Sequence, residues 1–271
     1  MPRACAACDA AIDLDEEDLC SACWDELSAA VGGVYCRTCG DDRGPHLLID
    51  GRCAACRLNK PNHRKFAAFV RVGRYAGSLR RLILRFKRQA NLERLLGTLL
   101  TETIPTAFDP RRVDLWVPVP THWRRRIVRG FQPTRLLTTR VARQWSARPS
   151  TVLSMTRYVP PFHRSMSLTQ RAAAIRGAFR ASPRQRIKGR TVCVIDDVTT
   201  TGATLAEARH ALRRAGATQV FAAVVAKTFR ETDAAEHAQP DSSPETPGLG
   251  VAETVGAPAN RPGLDREAGS V

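Results

Sequence analysis

Acidic residues are scarce in the middle of this chain. Residues 59–230 hold seven Asp/Glu against 35 Lys/Arg, a formal charge of +28, while residues 1–58 and 231–271 carry −6 each. The whole-chain value of +16 therefore hides a very basic centre between two acidic ends. Lysine is scarce too: with only 5 in the chain, arginine supplies most of the positive charge. No stretch approaches the roughly 18 apolar residues of a membrane span, which argues against membrane insertion. No apolar signal segment precedes Cys5, so a cytoplasmic location with reduced thiols is expected. Neither Gly-x-x-x-x-Gly-Lys-Ser/Thr nor Gly-x-Gly-x-x-Gly occurs, leaving P-loop and dinucleotide readings without support. Residues 231–271 lack a hydrophobic period and are dominated by Pro, Gly, Ser and Ala. They read as a disordered acidic tail.

What is present begins with cysteine. Four Cys-x-x-Cys pairs fill the first 56 residues: Cys5/Cys8, Cys20/Cys23, Cys36/Cys39 and Cys53/Cys56, with gaps of 11, 12 and 13 residues. Eight thiolates at this spacing suit two tetrahedral Cys₄ zinc sites. Sequential pairing gives two similar ribbons, and a cross-brace would join the first pair with the third. The short, similar gaps favour the sequential form. A ribbon domain over 1–60 is expected, distant enough from the basic centre that replacing Cys36 would leave the remainder folded. The ninth cysteine, Cys193, lies in an apolar strand and reads as a small buried hydrophobe.

The most informative stretch is Val192-Cys-Val-Ile-Asp-Asp-Val-Thr-Thr-Thr-Gly-Ala-Thr-Leu205. Strand-forming residues run into two carboxylates, Asp196 and Asp197. A hydroxyl-rich loop comes next, and Leu205, Ala208, Leu212 and Ala215 then mark a helix that Gly216 stops. A helix N-terminus presents free N–H groups and a dipole to an anion. Thr200, Thr201 and Thr204 add hydroxyl donors, and Gly202 permits close backbone approach beside Ala203. The loop suits a phosphate and the carboxylates suit vicinal hydroxyls. A ligand with a phosphate beside a diol is a ribose 5-phosphate. The two carboxylates are expected at an exposed strand end, in mutual repulsion.

The middle alternates in type. Strands are expected at 66–75, 113–119, 191–195 and 220–225. Helix faces are marked by Leu79, Leu82, Ile83 and Phe86, by Leu92, Leu95, Leu96 and Leu99, and by Leu136, Leu137 and Val141. Residues 154–167 read as a long loop. Such alternation implies an α/β fold with a mostly parallel sheet, covered by helices, over 61–230. Ligands of such sheets sit at the carboxyl ends of strands, where the diacid falls.

The diacid stretch closely resembles the phosphoribosyl-pyrophosphate motif of type I phosphoribosyltransferases. Residues 1–230 as a whole resemble the ComF family of competence-associated, phosphoribosyltransferase-like proteins. The matching pieces are the cysteine-rich front, Tyr75-Ala-Gly-Ser-Leu-Arg-Arg-Leu-Ile83, Val117-Pro-Val-Pro120, Arg129-Gly-Phe-Gln132, Arg171, Gly177-Ala-Phe179 and the diacid motif. The chain departs from the family where Pro133 follows Gln132, at His163, Met166 and Ala174, and at Arg85, where a lysine is common. The resemblance implies that Asp196 and Asp197 hold ribose hydroxyls, that residues 200–204 cradle the 5-phosphate, and that Mg²⁺ accompanies the pyrophosphate. Arg124, Arg125, Arg126 and Arg129 are candidates for contacting the pyrophosphate or nucleic acid. His163 and Arg164 are candidates for a lid over the site. No residue stands out as a general base.

Two functions remain open on the sequence alone. One is transfer of ribose 5-phosphate from phosphoribosyl pyrophosphate to an acceptor. The other is handling of single-stranded DNA during uptake or repair, with other competence-machinery proteins as partners. The basic centre favours the second, with Trp116, Trp123, Phe131 and Trp145 available to stack bases. The carboxylate pair favours the first, since a pure polyanion binder gains nothing from it.

Overall fold

The computed structural model describes residues 3–12, 18–58, 66–159, 166–182 and 187–228. The expected tail at 231–271, and His163 and Arg164, lie outside them.

The N-terminal part repeats one unit. A short antiparallel hairpin, β1 (Arg3–Ala4) with β2 (Ala11–Ile12), precedes helix α1 (Ser21–Ala30). A second, β3 (Leu48–Ile49) with β4 (Arg52–Cys53), precedes α2 (Ala54–Arg57). The alternating part comes after it. Its elements are β5 (Phe69–Arg74), α3 (Gly77–Phe86), α4 (Glu93–Thr103), β6 (Leu115–Pro118), α5 (Trp123–Arg129) and α6 (Pro133–Gln144). After them come β7 (Leu153–Met155), α7 (Leu168–Ile175), β8 (Phe179–Ala181), β9 (Thr191–Thr199), α8 (Ala203–Arg214) and β10 (Gln219–Lys227).

Four strands form a wholly parallel sheet in the order β5-β10-β9-β6. Both faces are covered, so the central strands read as continuous apolar runs rather than alternating ones. The pleat sends Cys193 and Ile195 of β9 toward Leu82, Phe86, Leu96, Leu137 and Val141 of α3, α4 and α6. It sends Val192 and Val194 toward Leu205, Ala208 and Leu212 of α8. Cys193 is fully buried, as its surroundings in the sequence imply.

The loop expected at 154–167 is partly a strand. Residues 153–155 pair antiparallel with 179–181, far along the chain. Three residues are too few to show a period, so only the partner reveals them. β9 also runs further than expected. Its backbone stays paired with β10 as far as Thr199↔Lys227, which carries the diacid inside the strand.

The cysteine-rich part is not distant from the sheet. Cys5, Cys23 and Leu27 share one apolar cluster with Leu79, Leu82 and Ile83 of α3. The segment between the ribbons and the start of the second ribbon close the free edge of β5: Gly32 N–H donates to Val72 O at 2.7 Å and Phe69 N–H to Arg37 O at 2.6 Å. An open parallel edge would otherwise invite pairing with another chain. Gly73 is required here, because a Cβ would lie 2.3 Å from Ala30 O. Arg71 of β5 donates to both oxygens of Asp42, at 2.7 and 2.5 Å, with both side chains at most 1% exposed. Lys227 Nζ donates to Asp41 at 2.9 Å. The ion pairs that dock the second ribbon join residues 29 and 186 apart in sequence, which local patterning cannot show.

Candidate functional site

The diacid sits at the carboxyl end of β9, where a parallel sheet offers its crevice. Asp196 is 8% and Asp197 9% exposed, so the pair is buried rather than laid open at a strand end. The difference has a cause in the fold. Helix α3 ends against the sheet, and Lys87 just after it places Nζ 3.1 Å from Asp197 Oδ2. Asp196 Oδ1 accepts the N–H of Asp197 at 2.9 Å, and Asp197 Oδ1 accepts that of Val198 at 2.7 Å. Burial, then the neighbouring Asp197 charge, pushes the Asp196 carboxyl well above the ordinary carboxylate range. Burial opposes the charge on Lys87, but Asp197 and then Asp196 outweigh it and hold the ammonium above its usual value. Lys87 is the residue that sequence reasoning missed. Its signal was its place just beyond an amphipathic helix, in a chain with 5 lysines.

The loop behind the diacid is shaped as expected. Gly202 has φ 70°, in the left-handed region, and heads the 12-residue helix α8. Ala203 N–H donates to Thr201 Oγ1 at 3.3 Å. Among the described residues, the N–H groups of Thr200, Thr201 and Gly202 have no acceptor. Thr201 and Ala203 are buried, while Thr200, Gly202 and Thr204 are half-buried. Arg171 of α7 donates to Thr200 Oγ1 at 3.4 Å. The structure thus brings Asp196, Asp197 and residues 200–204 together, with Lys87 and Arg171 at their edge.

The neighbouring strand end carries a different chemistry. Val119 O accepts from Thr134 Oγ1 at 2.8 Å and from Gln132 Nε2 at 3.2 Å, so Gln132 ties the loop back to the sheet. Pro133 opens α6 at a position that needs no N–H donor. His122 caps α5 by accepting the Arg124 N–H at Nδ1, 3.3 Å away. Its ring meets Tyr158 edge-on, with centroids 5.1 Å apart. Arg124 lies over Trp123 at 5.5 Å and over Tyr158 at 5.9 Å. Trp123, Ile127 and Val128 are 56%, 72% and 88% exposed, beside the exposed Arg124, Arg126 and Arg129. Arg125 lies on the same helix. Of the four aromatics considered for base stacking, Trp116 and Trp145 instead stack on each other, with Trp116 1% exposed. Phe131 packs beside Phe86. Of the four, Trp123 is exposed, Phe131 and Trp145 are half-buried, and Trp116 is buried. Arg85 turns away to the first ribbon and pairs with Asp9.

The cysteines form two Cys₄ zinc-binding sites: Cys5, Cys8, Cys20 and Cys23, then Cys36, Cys39, Cys53 and Cys56. Pairing is sequential, with no cross-brace. Within each set the ligand atoms lie within 4.8 Å of one another. Cys8–Cys20 and Cys36–Cys56 sulfurs are 3.7 Å apart, and Cys39–Cys53 3.9 Å. A zinc with bonds of about 2.3 Å to four sulfurs sets tetrahedral edges of about 3.8 Å, so the geometry fits the metal. The hydrogen bond between Cys39 and Cys36 lowers the Cys36 thiol and raises that of Cys39, as expected where one proton is shared between close sulfurs.

Two family models match the chain. The double zinc ribbon domain matches residues 1–57 and the phosphoribosyl transferase domain matches residues 136–248. "DNA utilization protein YhgH" of Escherichia coli (strain K12) is 31% identical, across 81% of this chain and 95% of its own length. "Competence protein F" of Haemophilus influenzae is 28% identical, across 80% of this chain and 93% of its own. The solved glutamine phosphoribosylpyrophosphate (PRPP) amidotransferase from B. subtilis, complexed with ADP and GMP, is 22% identical with a TM-score of 0.33. That likeness covers 48% of this chain and spans a quarter, 25%, of the other.

Proposed function

The chain belongs to the ComF family, and from that premise we propose that its sheet domain, residues 61–230, binds phosphoribosyl pyrophosphate with Mg²⁺ and passes ribose 5-phosphate to an acceptor in the cytoplasm. The observation that carries this reading is the order diacid, hydroxyl loop, helix N-terminus at the end of β9, with three loop N–H groups unclaimed among the described residues. The ribose hydroxyls donate to Asp196 and Asp197. The 5-phosphate accepts from the N–H groups and hydroxyls of residues 200–204. Phosphate and carboxylate oxygens are the hard donors that Mg²⁺ takes, and the ion neutralises charge on the departing pyrophosphate. When the C1–oxygen bond breaks, the electron pair leaves with pyrophosphate and the ribose ring becomes cationic. The buried carboxylates beneath the ring are suited to that charge. Arg124, Arg125, Arg126 and Arg129 of α5, with His163 and Arg164, are the proposed pyrophosphate contacts.

Calorimetric titration with phosphoribosyl pyrophosphate tests the reading. Binding is expected to need Mg²⁺ and to be lost in Gly202→Val, whose side chain would enter the cradle. Absence of binding by the parent protein at millimolar ligand overturns it.

A second reading has its own observation. The exposed Trp123, with Arg124 over its ring and Tyr158 alongside, offers a stacking face amid basic charge. Such a surface suits single-stranded DNA, alone or handed over by other competence proteins.

A further inference from the structure

Helix α3 is held by two parts of the molecule at once. On its outer face Arg81 Nη2 donates to Cys23 Sγ at 3.6 Å and to Ser78 Oγ at 2.7 Å, and pairs with Glu26 of α1. Ser78 in turn donates to Glu26 at 2.6 Å. One turn later Arg85 Nη1 donates to the carbonyls of Cys5 at 3.3 Å and Ala6 at 3.1 Å, while Nη2 reaches Asp9. The Glu26 side chain lies over the start of α3, where a Cβ on Gly77 would come 2.5 Å from its Oε1. Just past the end of α3, Lys87 is fixed by its N–H to Ile83 O at 3.1 Å and meets the diacid through Nζ. A short rigid helix therefore joins the first cysteine centre to Asp197.

Charge explains the arrangement. Four thiolates outweigh one Zn²⁺, so the loaded centre is a net anion, and Arg81 and Arg85 are cations laid against its sulfur and its ligand carbonyls. Without the metal the centre loses its fixed shape, and the two arginines lose the frame that orients them. The two centres also differ in access. All four ligands of the second are buried, whereas Cys8 of the first is exposed and Cys20 half-buried.

We propose that the zinc centre of Cys5, Cys8, Cys20 and Cys23 regulates the diacid site by fixing Lys87 through α3, with Arg81 and Arg85 as positioning residues, and that it is the first centre to yield its metal. The ligand affected is phosphoribosyl pyrophosphate, which rests on the proposed ribose-phosphate function. The link to Lys87 does not depend on it.

The test uses the full zinc-loaded chain with lysines reductively methylated by ¹³C-formaldehyde, which preserves their charge. The Lys87 signal is assigned with Lys87→Arg. Drawing zinc with the chelating dye 4-(2-pyridylazo)resorcinol should release one equivalent quickly and the second slowly, and Cys8→Ser should abolish the fast phase. Loss of the first equivalent should move the Lys87 signal and lower its titration toward that of a free lysine. It should also weaken phosphoribosyl pyrophosphate binding about tenfold, the usual scale when a group supporting a site is removed. Arg85→Met should reproduce the Lys87 shift with both zincs retained, and Arg85→Lys should restore part of it. A Lys87 signal unchanged by first-zinc loss or by Arg85→Met overturns the proposal. If the signal moves while the loaded parent binds no phosphoribosyl pyrophosphate, the coupling stands and the ribose-phosphate reading falls.

Discussion

Lys87 and Asp197 form the one ion pair among the described residues that joins a helix to the diacid, with Nζ 3.1 Å from Oδ2. The pair leaves Asp196, buried beside a charged neighbour, as the carboxyl that holds its proton the more firmly. The two neighbouring carboxylates are therefore unequal, although the sequence presents them as twins.

Asp196→Asn and Asp197→Asn are expected to move stability in opposite directions. Asp196 has its folded pKa above the ordinary 3.8. Its favourable contribution is complete below that value and is lost as pH rises through the folded pKa, so the fold favours the protonated form and rising pH costs stability. Removing the carboxylate should raise the melting temperature by about 2–4 °C, or about 1 kcal/mol, and the gain should vanish in acid. Asp197→Asn strands Lys87 and should cost about 1–3 kcal/mol. The Lys87 contribution, with its pKa above 10.5, is lost only as the solution becomes strongly alkaline. Thermal melts across pH decide the matter, and equal effects of the two variants would contradict it.

The Arg71–Asp42 pair should be costly to break and cheap to replace. Asp42→Asn leaves a guanidinium buried without its counter-charge and should cost about 3–5 kcal/mol in urea unfolding. The double variant Arg71→Met, Asp42→Leu should recover much of that loss. A single variant within about 1 kcal/mol of the parent would show that the ribbon does not depend on this pair.

Metal analysis should find two zinc ions per chain, and Cys36→Ser should retain one. Because the second ribbon holds β5 through Arg71 and β10 through Lys227, this variant should lower the unfolding temperature of the entire sheet. Two separate transitions, with the sheet unmoved, would restore the picture of a remote ribbon.

Single-stranded DNA should bind without sequence preference and weaken as salt rises. Trp123→Ala should cost about 1–3 kcal/mol, the range for one stacked base. Arg124→Gln should reduce the slope of log affinity against log salt by about one. Affinity indifferent to both variants would remove α5 from the DNA surface.

Much of this architecture is written locally. The cysteine gaps give the two metal sites, and Leu79, Leu82, Ile83 and Phe86 give α3. The diacid, hydroxyl and glycine run gives the strand end, loop and helix start of the candidate site on β9. What could not be read joins distant residues. Lys87 belongs to the site only because α3 packs as it does, and Asp42 is buried only because Arg71 awaits it. β7 exists only through β8. The exposure of Trp123 and the burial of Trp116 likewise depend on neighbours that composition does not name.

The position of β10 has a consequence for synthesis. It is the last described strand, yet it lies between β5 and β9, and β5 touches the rest of the sheet through it. A nascent chain that has emerged as far as α8 holds β9 and β6 side by side, while β5 has no strand to pair with and meets them only through helices such as α4. The parallel sheet closes only when residues 219–227 leave the ribosome, which makes its completion a late step with long-range contacts. The cysteine ribbons are complete by Cys56. They have most of translation in which to capture zinc, and they wait, metal in place, for the surface on which they will finally rest.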